Sequence, residues 1–239
     1  MDSIVKIGYI YPELLNMYGD FGNILSLSKR LEWRDIQSQV IKYKMDDEID
    51  FENIDILYLG GGGEKEILLA KEKLLPYKER LKNYVENGGV LLCVCSGFDI
   101  IGEYFHLKGE KYEGLNIIPV KSEWGEKRFV SDVILDTKFG KVVGFENHNG
   151  RMNTGILEPL GEVIFGNGNN GEDKREGVIY KNTFCTYLDG PLLPKNPALC
   201  DEILKRAIKK YDDNFYLKPL DDSVEEKAQN FIIDKYKEN

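Results

Sequence analysis

The chain has 239 residues, 42% hydrophobic and 31% charged, a composition typical of a globular protein with a sizeable core and too apolar for a disordered one. Its net charge of −9 argues against a nucleic-acid backbone as the main partner, because that role needs clustered Lys and Arg. The first residues lack a signal-peptide pattern, and no apolar run approaches the roughly 20 residues of a membrane-spanning helix. We therefore expect a cytoplasmic protein with no direct membrane insertion.

Strands and helices alternate in the first half of the sequence. Apolar runs rich in β-branched and aromatic residues predict strands over residues 4–11, 38–43, 54–59 and 90–94. Apolar residues at helical spacing predict helices over 24–33 and 64–87, and Gly88 and Gly89 would end the second one. This alternation predicts an α/β fold with a mostly parallel sheet flanked by helices.

The second half has a different pattern of predicted elements. Short strands separated by tight turns are predicted over residues 129–135, 142–147, 162–165, 178–182 and 184–188. They suggest an antiparallel extension of the sheet. Helices are predicted over 199–211 and 224–236, the last one after a Lys-Pro break. The organisation we expect is one domain over residues 1–212 with a C-terminal helical appendage over 213–239.

Cysteine and histidine are sparse. Four cysteines in a chain of this length do not form a disulfide framework pattern, and none of them is spaced C-x-x-C. The chain has two histidines, His106 and His148, so a zinc site is not expected. The sequence predicts no metal and no cofactor.

Cys95 is the sharpest chemical signal. It follows the apolar strand 90–94 and precedes Ser96, Gly97 and a helix-like stretch over 98–104. A nucleophile at such a strand-to-helix turn points away from the sheet, and the following helix start favours the thiolate. The backbone N–H of Ser96 would then donate to an oxyanion. The alternative is a buried core cysteine, which better explains Cys93.

A run of four glycines, residues 60–63, follows the strand over 54–59. Open α/β sheets bind ligands at the carboxyl ends of their strands, where Cys95 also lies. The run could bring backbone N–H groups to a substrate oxygen, or it could be no more than a permissive turn. A phosphate-binding loop is not expected, because no Gly-Lys-Ser/Thr follows.

Ordered motifs along nearly the whole chain resemble a known family. They lie at residues 16–20 (NMYGD), 22–24 (GNI), 61–63 (GGG), 95–98 (CSGF), 144–148 (GFENH), 150–151 (GR), 168–170 (GNN), 176–177 (EG), 186–191 (TYLDGP) and 193–196 (LPKN). The family is that of the class I glutamine amidotransferases, in the cobyric-acid-synthase-like branch, and the GatD-like glutaminase subunits are the most similar group. The resemblance implies a flavodoxin-like sheet.

The resemblance also implies an activity and the residues that carry it. Cys95 would attack the side-chain amide of L-glutamine, release ammonia and form a glutamyl thioester that water resolves. Gly62 would complete the oxyanion hole with Ser96, and Arg128 would hold the substrate, although it could also be a solvated surface charge. His148 is implied to be structural, and His106 is most simply a surface residue.

A partner is implied as well. The ammonia would pass to a MurT-like Mur ligase subunit in a heterodimer, and this ATP-dependent ligase would amidate D-glutamate of lipid II in peptidoglycan synthesis. The catalytic histidine of the family would lie between Tyr-Leu and Gly-Pro, but this sequence has Asp189 there. A carboxylate with an ordinary pKa near 4 is a poor base and raises the pKa of a nearby thiol.

Two alternatives follow, one from Asp189 in place of the family's histidine and one from the cobyric-acid-synthase-like branch of the family. The chain could be a catalytically degenerate binding subunit of the same fold, because Ser96, Asp99 and the Glu64-Lys65 pair also depart from the family pattern. It could also be a cobyric-acid-type amidotransferase, which the absence of a fused synthetase domain disfavours.

Overall fold

The computed structural model describes residues 4–212 and 215–236. Its strands in chain order are β1 (Val5–Ile10), β2 (Ser38–Tyr43), β3 (Ile56–Leu59), β4 (Val90–Val94), β5 (Tyr104–Leu107), β6 (Glu110–Glu113), β7 (Lys121–Thr137), β8 (Gly140–Asn153), β9 (Gly161–Phe165), β10 (Arg175–Glu176), β11 (Val178–Tyr180), β12 (Thr183–Thr186) and β13 (Leu188–Asp189). Its α-helices are α1 (Phe21–Glu32), α2 (Glu64–Leu74), α3 (Lys78–Glu86), α4 (Ser96–Ile101), α5 (Pro197–Lys209) and α6 (Ser223–Lys235).

A six-stranded sheet carries the core, in the order β11-β12-β4-β3-β1-β2. Neighbouring strands are parallel except β11 and β12, so β11 is an antiparallel extension at one edge. Alternate residues of β3 and β4 belong to two hydrophobic clusters, one on each face, and both strands are buried throughout. The predicted α/β fold with a mostly parallel sheet is confirmed.

Most of the antiparallel strands belong to a second sheet. Its order is β10-β9-β7-β5-β6, and β8 pairs with both β7 and β13. The pair β7–β8 is much longer than predicted, because the first half of β7 is charged and largely exposed and so lacks an apolar alternation. Strand β13 ends at Asp189, which places that residue close to the carboxyl edge of the parallel sheet.

Two predicted helices differ in the structure. The helix over 64–87 is divided into α2 and α3 by a 3₁₀ turn at Leu75–Tyr77, since Pro76 cannot continue an α-helical hydrogen-bond ladder. The helix-like stretch over 98–104 is wrong: α4 ends at Ile101, Gly102 is extended, and β5 begins at Tyr104. The helix end at Gly88 is confirmed, with a φ of +82° and an N–H bond to the Val85 carbonyl.

The C-terminal helix packs on the rest of the chain. The Gln229 side-chain amide donates to the Lys141 and Lys195 carbonyls. Arg30, which is 3% exposed, bridges Asp201 of α5 and Asp222 at the start of α6, both at 2.6 Å. The predicted boundary between residues 212 and 213 stays a prediction, and residues 213–214, 237–239 and 1–3 lie outside the described residues. No helix in the described ranges is long and apolar enough to cross a membrane.

Candidate active site

Cys95 lies at the tip of a strained turn between β4 and α4. Its φ of +53° and ψ of −121° are rare for a residue with a side chain. The Cys95 N–H donates to the Thr186 carbonyl at 2.8 Å, and the Phe98 N–H donates to the Cys95 carbonyl at 2.9 Å. These bonds hold the turn, and the side chain stays half-buried at the edge of the sheet, where the sequence predicted it.

Gly97 allows the start of α4 to approach the end of β3. A Cβ at this position would overlap the carbonyl oxygen of Leu59, so no larger residue fits without displacing the backbone. The close approach places the turn at Cys95 directly beside the glycine loop that follows β3. A glycine at position 97 is therefore a requirement of packing.

The glycine loop passes beside the sulfur, as predicted. A Cβ on Gly61 would lie 3.5 Å from Cys95 Sγ, which shows how closely the loop backbone approaches the thiol. The Gly61 N–H donates to Asp20 Oδ2 at 2.8 Å, and the Gly62 N–H donates to Ser96 Oγ at 2.8 Å. The backbone N–H of Ser96 lowers the pKa of the Cys95 thiol.

Asp189 lies beside Cys95, with 3% of its surface exposed. Asp189 Oδ2 is buried and has no hydrogen-bond partner within residues 4–212 and 215–236. Burial, followed by the charge of Asp20, raises the pKa of Asp189 to about 8, against smaller lowering effects of the Cys95 thiol and the Arg128 charge. The expectation of an ordinary pKa near 4 for Asp189 is therefore wrong. With a pKa of about 8, its carboxyl group is mostly protonated at neutral pH.

The Cys95 thiol is surrounded by acidic groups. Burial holds its pKa well above the ordinary value, and Asp189, Asp99 and Asp20 raise it further. Burial also raises the pKa of Asp99 and of Asp20 to about 6 each. The site as it stands keeps the sulfur in its protonated form at neutral pH.

Arg128 is exposed on β7 at the rim of this cleft. Its guanidinium donates to Asn147 Oδ1 at 2.5 Å, to the Asn147 carbonyl at 3.0 Å and to Asn149 Oδ1 at 3.2 Å. The Asn147 amide in turn donates to the Tyr18 hydroxyl at 2.9 Å. The arginine is thus fixed near Asp189, whose pKa it lowers, instead of extending freely into solvent.

A backbone carbonyl holds the ring of each histidine. His148 is 5% exposed, its Nδ1 lies 2.9 Å from the Gly150 carbonyl, and its ring stacks on Tyr187 with 4.1 Å between centroids. In the described part of the chain it makes no hydrogen bond to Cys95. His106 is half-buried on β5, with Nδ1 2.9 Å from the Ser122 carbonyl.

Comparison with known proteins identifies the family. The CobB/CobQ-like glutamine amidotransferase domain matches residues 6–197, most of the chain. The chain belongs to the CobB/CobQ-like glutamine amidotransferase family. It is 38% identical over 233 residues to the lipid II isoglutaminyl synthase (glutamine-hydrolyzing) subunit GatD of Staphylococcus aureus, a match that covers 97% of this chain and 96% of that one.

Other relatives agree with this assignment. The GatD subunit of Streptococcus pneumoniae is 36% identical over 224 residues, covering 91% of this chain and 86% of that one. A crystal structure of a glutamine amidotransferase superposes with a TM-score of 0.58 at 16% identity, covering 84% of this chain and 98% of that one, which shows the shared amidotransferase fold. The family resemblance inferred from the motifs is confirmed.

Several residues of this amidotransferase site were not predicted from the sequence. Asp20 accepts from the Gly61 N–H and from the Tyr58 hydroxyl, and so fixes the glycine loop. Asp99 accepts from the Tyr187 hydroxyl at 2.6 Å on the other side of the cleft. The motifs at 16–20 and 186–191 contain two of these residues, but nothing in the sequence showed that their side chains meet at Cys95.

Proposed function

We propose that this chain is the glutamine-hydrolysing subunit of a two-subunit amide ligase of the lipid II isoglutaminyl synthase type. The observation that carries the proposal is Cys95, held at a strained strand-to-helix turn against a glycine loop, in a chain that matches glutamine-hydrolysing subunits over nearly their full length. Its substrate would be L-glutamine. Its partner would be a MurT-like Mur ligase subunit that uses the ammonia to amidate D-glutamate of lipid II.

The reaction assigned to Cys95 is acyl transfer. The sulfur bonds to the side-chain amide carbon of glutamine, and the carbonyl electrons move to the oxygen. Collapse of this tetrahedral intermediate breaks the C–N bond, and the nitrogen leaves as ammonia with the proton that the thiol released. Water then attacks the thioester, giving glutamate and restoring the thiol. Arg128, at the rim of the cleft, is suited to bind the carboxylate of the substrate.

The proton transfers are the weak point of the site. A base must accept the thiol proton, and Asp189 occupies the position from which it would act. Since Asp189 is mostly protonated at neutral pH, it can donate a proton to the leaving nitrogen but cannot readily accept one from the thiol. We infer that the chain hydrolyses glutamine slowly.

The same observation supports a second candidate, a binding subunit of this fold that has lost catalysis. Three acidic side chains around a protonated thiol are what such a loss would leave. A cobyric-acid-type amidotransferase has less support, because the chain spans 96% and 86% of the two relatives that are separate GatD subunits.

Acid-quenched incubation with glutamine tests the activity. Mass spectrometry of the Cys95 peptide should detect a glutamyl adduct in the full-length chain with its ligase partner, and Cys95→Ser, whose hydroxyl is a weaker nucleophile at this position, should give none. Co-purification with that ligase tests the partnership. An associated, folded pair without adduct or ammonia would favour the binding subunit, and failure of two folded proteins to associate at micromolar concentration would contradict the heterodimer.

A further inference from the structure

The Ser96 side chain occupies one of the two donors assigned to the oxyanion hole. The Gly62 N–H donates to Ser96 Oγ at 2.8 Å, a full-strength hydrogen bond. Ser96 is 2% exposed, so solvent does not compete for this bond. The Gly62 N–H is therefore engaged by a side chain of the protein instead of being open toward the cleft.

This contact follows from the packing of the two segments. Gly97 lets the start of α4 lie against the end of β3, and Ser96, at the first position of α4, then faces the glycine loop. The loop backbone at Gly61 lies beside the Cys95 sulfur, so the Gly62–Ser96 bond is also close to it. The hydroxyl is thus held by the same glycine loop that passes beside the sulfur.

The hydroxyl proton of Ser96 remains available. A serine hydroxyl accepts and donates at the same time, and the bond from Gly62 uses only its acceptor capacity. Within residues 4–212 and 215–236 it donates to no acceptor. A buried O–H that accepts from a backbone amide and has no acceptor of its own is prepared to bind an incoming oxygen.

We propose that the Ser96 hydroxyl is itself an oxyanion donor of the site, with the Gly62 amide acting through it. In this arrangement the Ser96 O–H and the Ser96 N–H both donate to the oxygen that develops on the glutamine amide, and the Gly62 N–H polarises the hydroxyl. The proton stays on Ser96 throughout. This role rests on the proposed glutaminase function and makes Ser96 a catalytic residue through its side chain as well as its backbone.

The opposite role, a hydroxyl that merely blocks the Gly62 amide, makes the opposite prediction. If the hydroxyl is a donor, Ser96→Ala and Ser96→Gly remove a transition-state contact and lower kcat by about 10²-fold, the usual effect of losing one oxyanion donor. The KM for glutamine should stay within about twofold, since the contact forms with the transition state. If the hydroxyl blocks the site, both variants raise kcat.

The Ser96 variants are made in the full-length chain or in its Asp189→His variant, whichever is more active. Glutamine turnover is then measured with the ligase subunit present. Alkylation of Cys95 by iodoacetamide provides a second readout, because displacement of iodide forms no oxyanion and should proceed at an unchanged rate. Ser28→Ala is the matched control: its hydroxyl lies 3.1 Å from that of Ser38, on α1 and β2. It should change neither measurement.

Three results would overturn the proposal. Unchanged or raised kcat in both Ser96 variants would show that the hydroxyl does not donate to the oxyanion. A parallel loss of alkylation would show that Ser96 acts on the thiol and not on the substrate oxygen. No ammonia from either parent chain, folded and bound to its ligase, would refute the glutaminase function and this role with it.

Discussion

Removing the titratable carboxyl group of Asp189 should change how the stability of the protein depends on pH. Asp189→Asn keeps the size of the side chain and removes its titration. The Asp189 pKa is about 8 in the folded protein and 3.8 in an unperturbed carboxyl group. The folded state therefore binds more protons than the unfolded state between these two values, and stability falls as pH rises through that window.

The size of this effect follows from the same two values. A difference of about 4 pKa units, at 1.36 kcal/mol per unit, corresponds to roughly 5 kcal/mol of unfolding free energy. The stabilising contribution is complete below the unfolded value, declines from about pH 4 to pH 8, and is absent above pH 8. Asp189→Asn should lack this decline, although both proteins share the smaller contributions of Asp20 and Asp99, whose pKa values are raised to about 6.

Urea unfolding at intervals from pH 5 to pH 9 measures the effect. The difference in unfolding free energy between Asp189→Asn and the parent should grow in favour of the variant by a few kcal/mol across this range. Asp35→Asn, at an exposed position with a φ of +57° that Asn also tolerates, is the matched control and should run parallel to the parent. Parallel profiles for Asp189→Asn would refute the protonated state of this carboxyl group.

Three further substitutions test other parts of the account. Gly97→Ala should destabilise the protein by about 1–3 kcal/mol in urea unfolding, because its methyl group overlaps backbone at the end of β3. Arg30→Ala should cost about 3 kcal/mol and make α6 sensitive to limited proteolysis, since Asp222 loses its buried partner while Asp201 keeps Arg34. Arg128→Ala should raise the KM for glutamine, measured by steady-state ammonia release, by about 10-fold or more. This is the effect expected from the loss of a charge-assisted hydrogen bond.

Each of these has a control, and for Arg30 and Arg128 it is the preceding residue. Gly63→Ala would meet only the flexible Glu66 carboxyl, and Lys29→Ala would remove only an exposed ion pair, so both should stay within about 1 kcal/mol of the parent. Lys127→Ala, at an exposed neighbouring position, should leave the KM unchanged. Controls as damaging as their test variants would contradict the assigned contacts.

The strand-to-helix turn could be predicted because its signals are local. A continuous apolar run ends at Cys95, small residues follow, and a glycine run ends another buried strand. Parallel strands bring their carboxyl ends to one edge, so the two features had to meet there. The resemblance to the amidotransferases then identified Asp189 and Arg128 as members of the same site, although they lie far from Cys95 in the chain.

The electrostatics of the site could not be predicted in the same way. The raised pKa of Asp189 depends on burial by several segments, and the approach of Asp20 and Asp99 depends on how the sheet and α4 pack. Neither leaves a periodic pattern in the sequence. The second sheet was missed for a related reason, because the exposed, charged half of β7 is held by pairing with β8 and not by an apolar alternation.

The effect of residues 189 and 95 on glutamine turnover tests the central claim most directly. Ammonia release should be measured with the ligase partner present for the chain as it stands, for Asp189→His and for Cys95→Ala. An imidazole at position 189 can accept the thiol proton and stabilise the thiolate, so Asp189→His should raise turnover by about 10² to 10⁴, and Cys95→Ala should abolish it. If the unaltered chain already matches the histidine variant, or if Cys95→Ala stays active, the assigned chemistry is wrong.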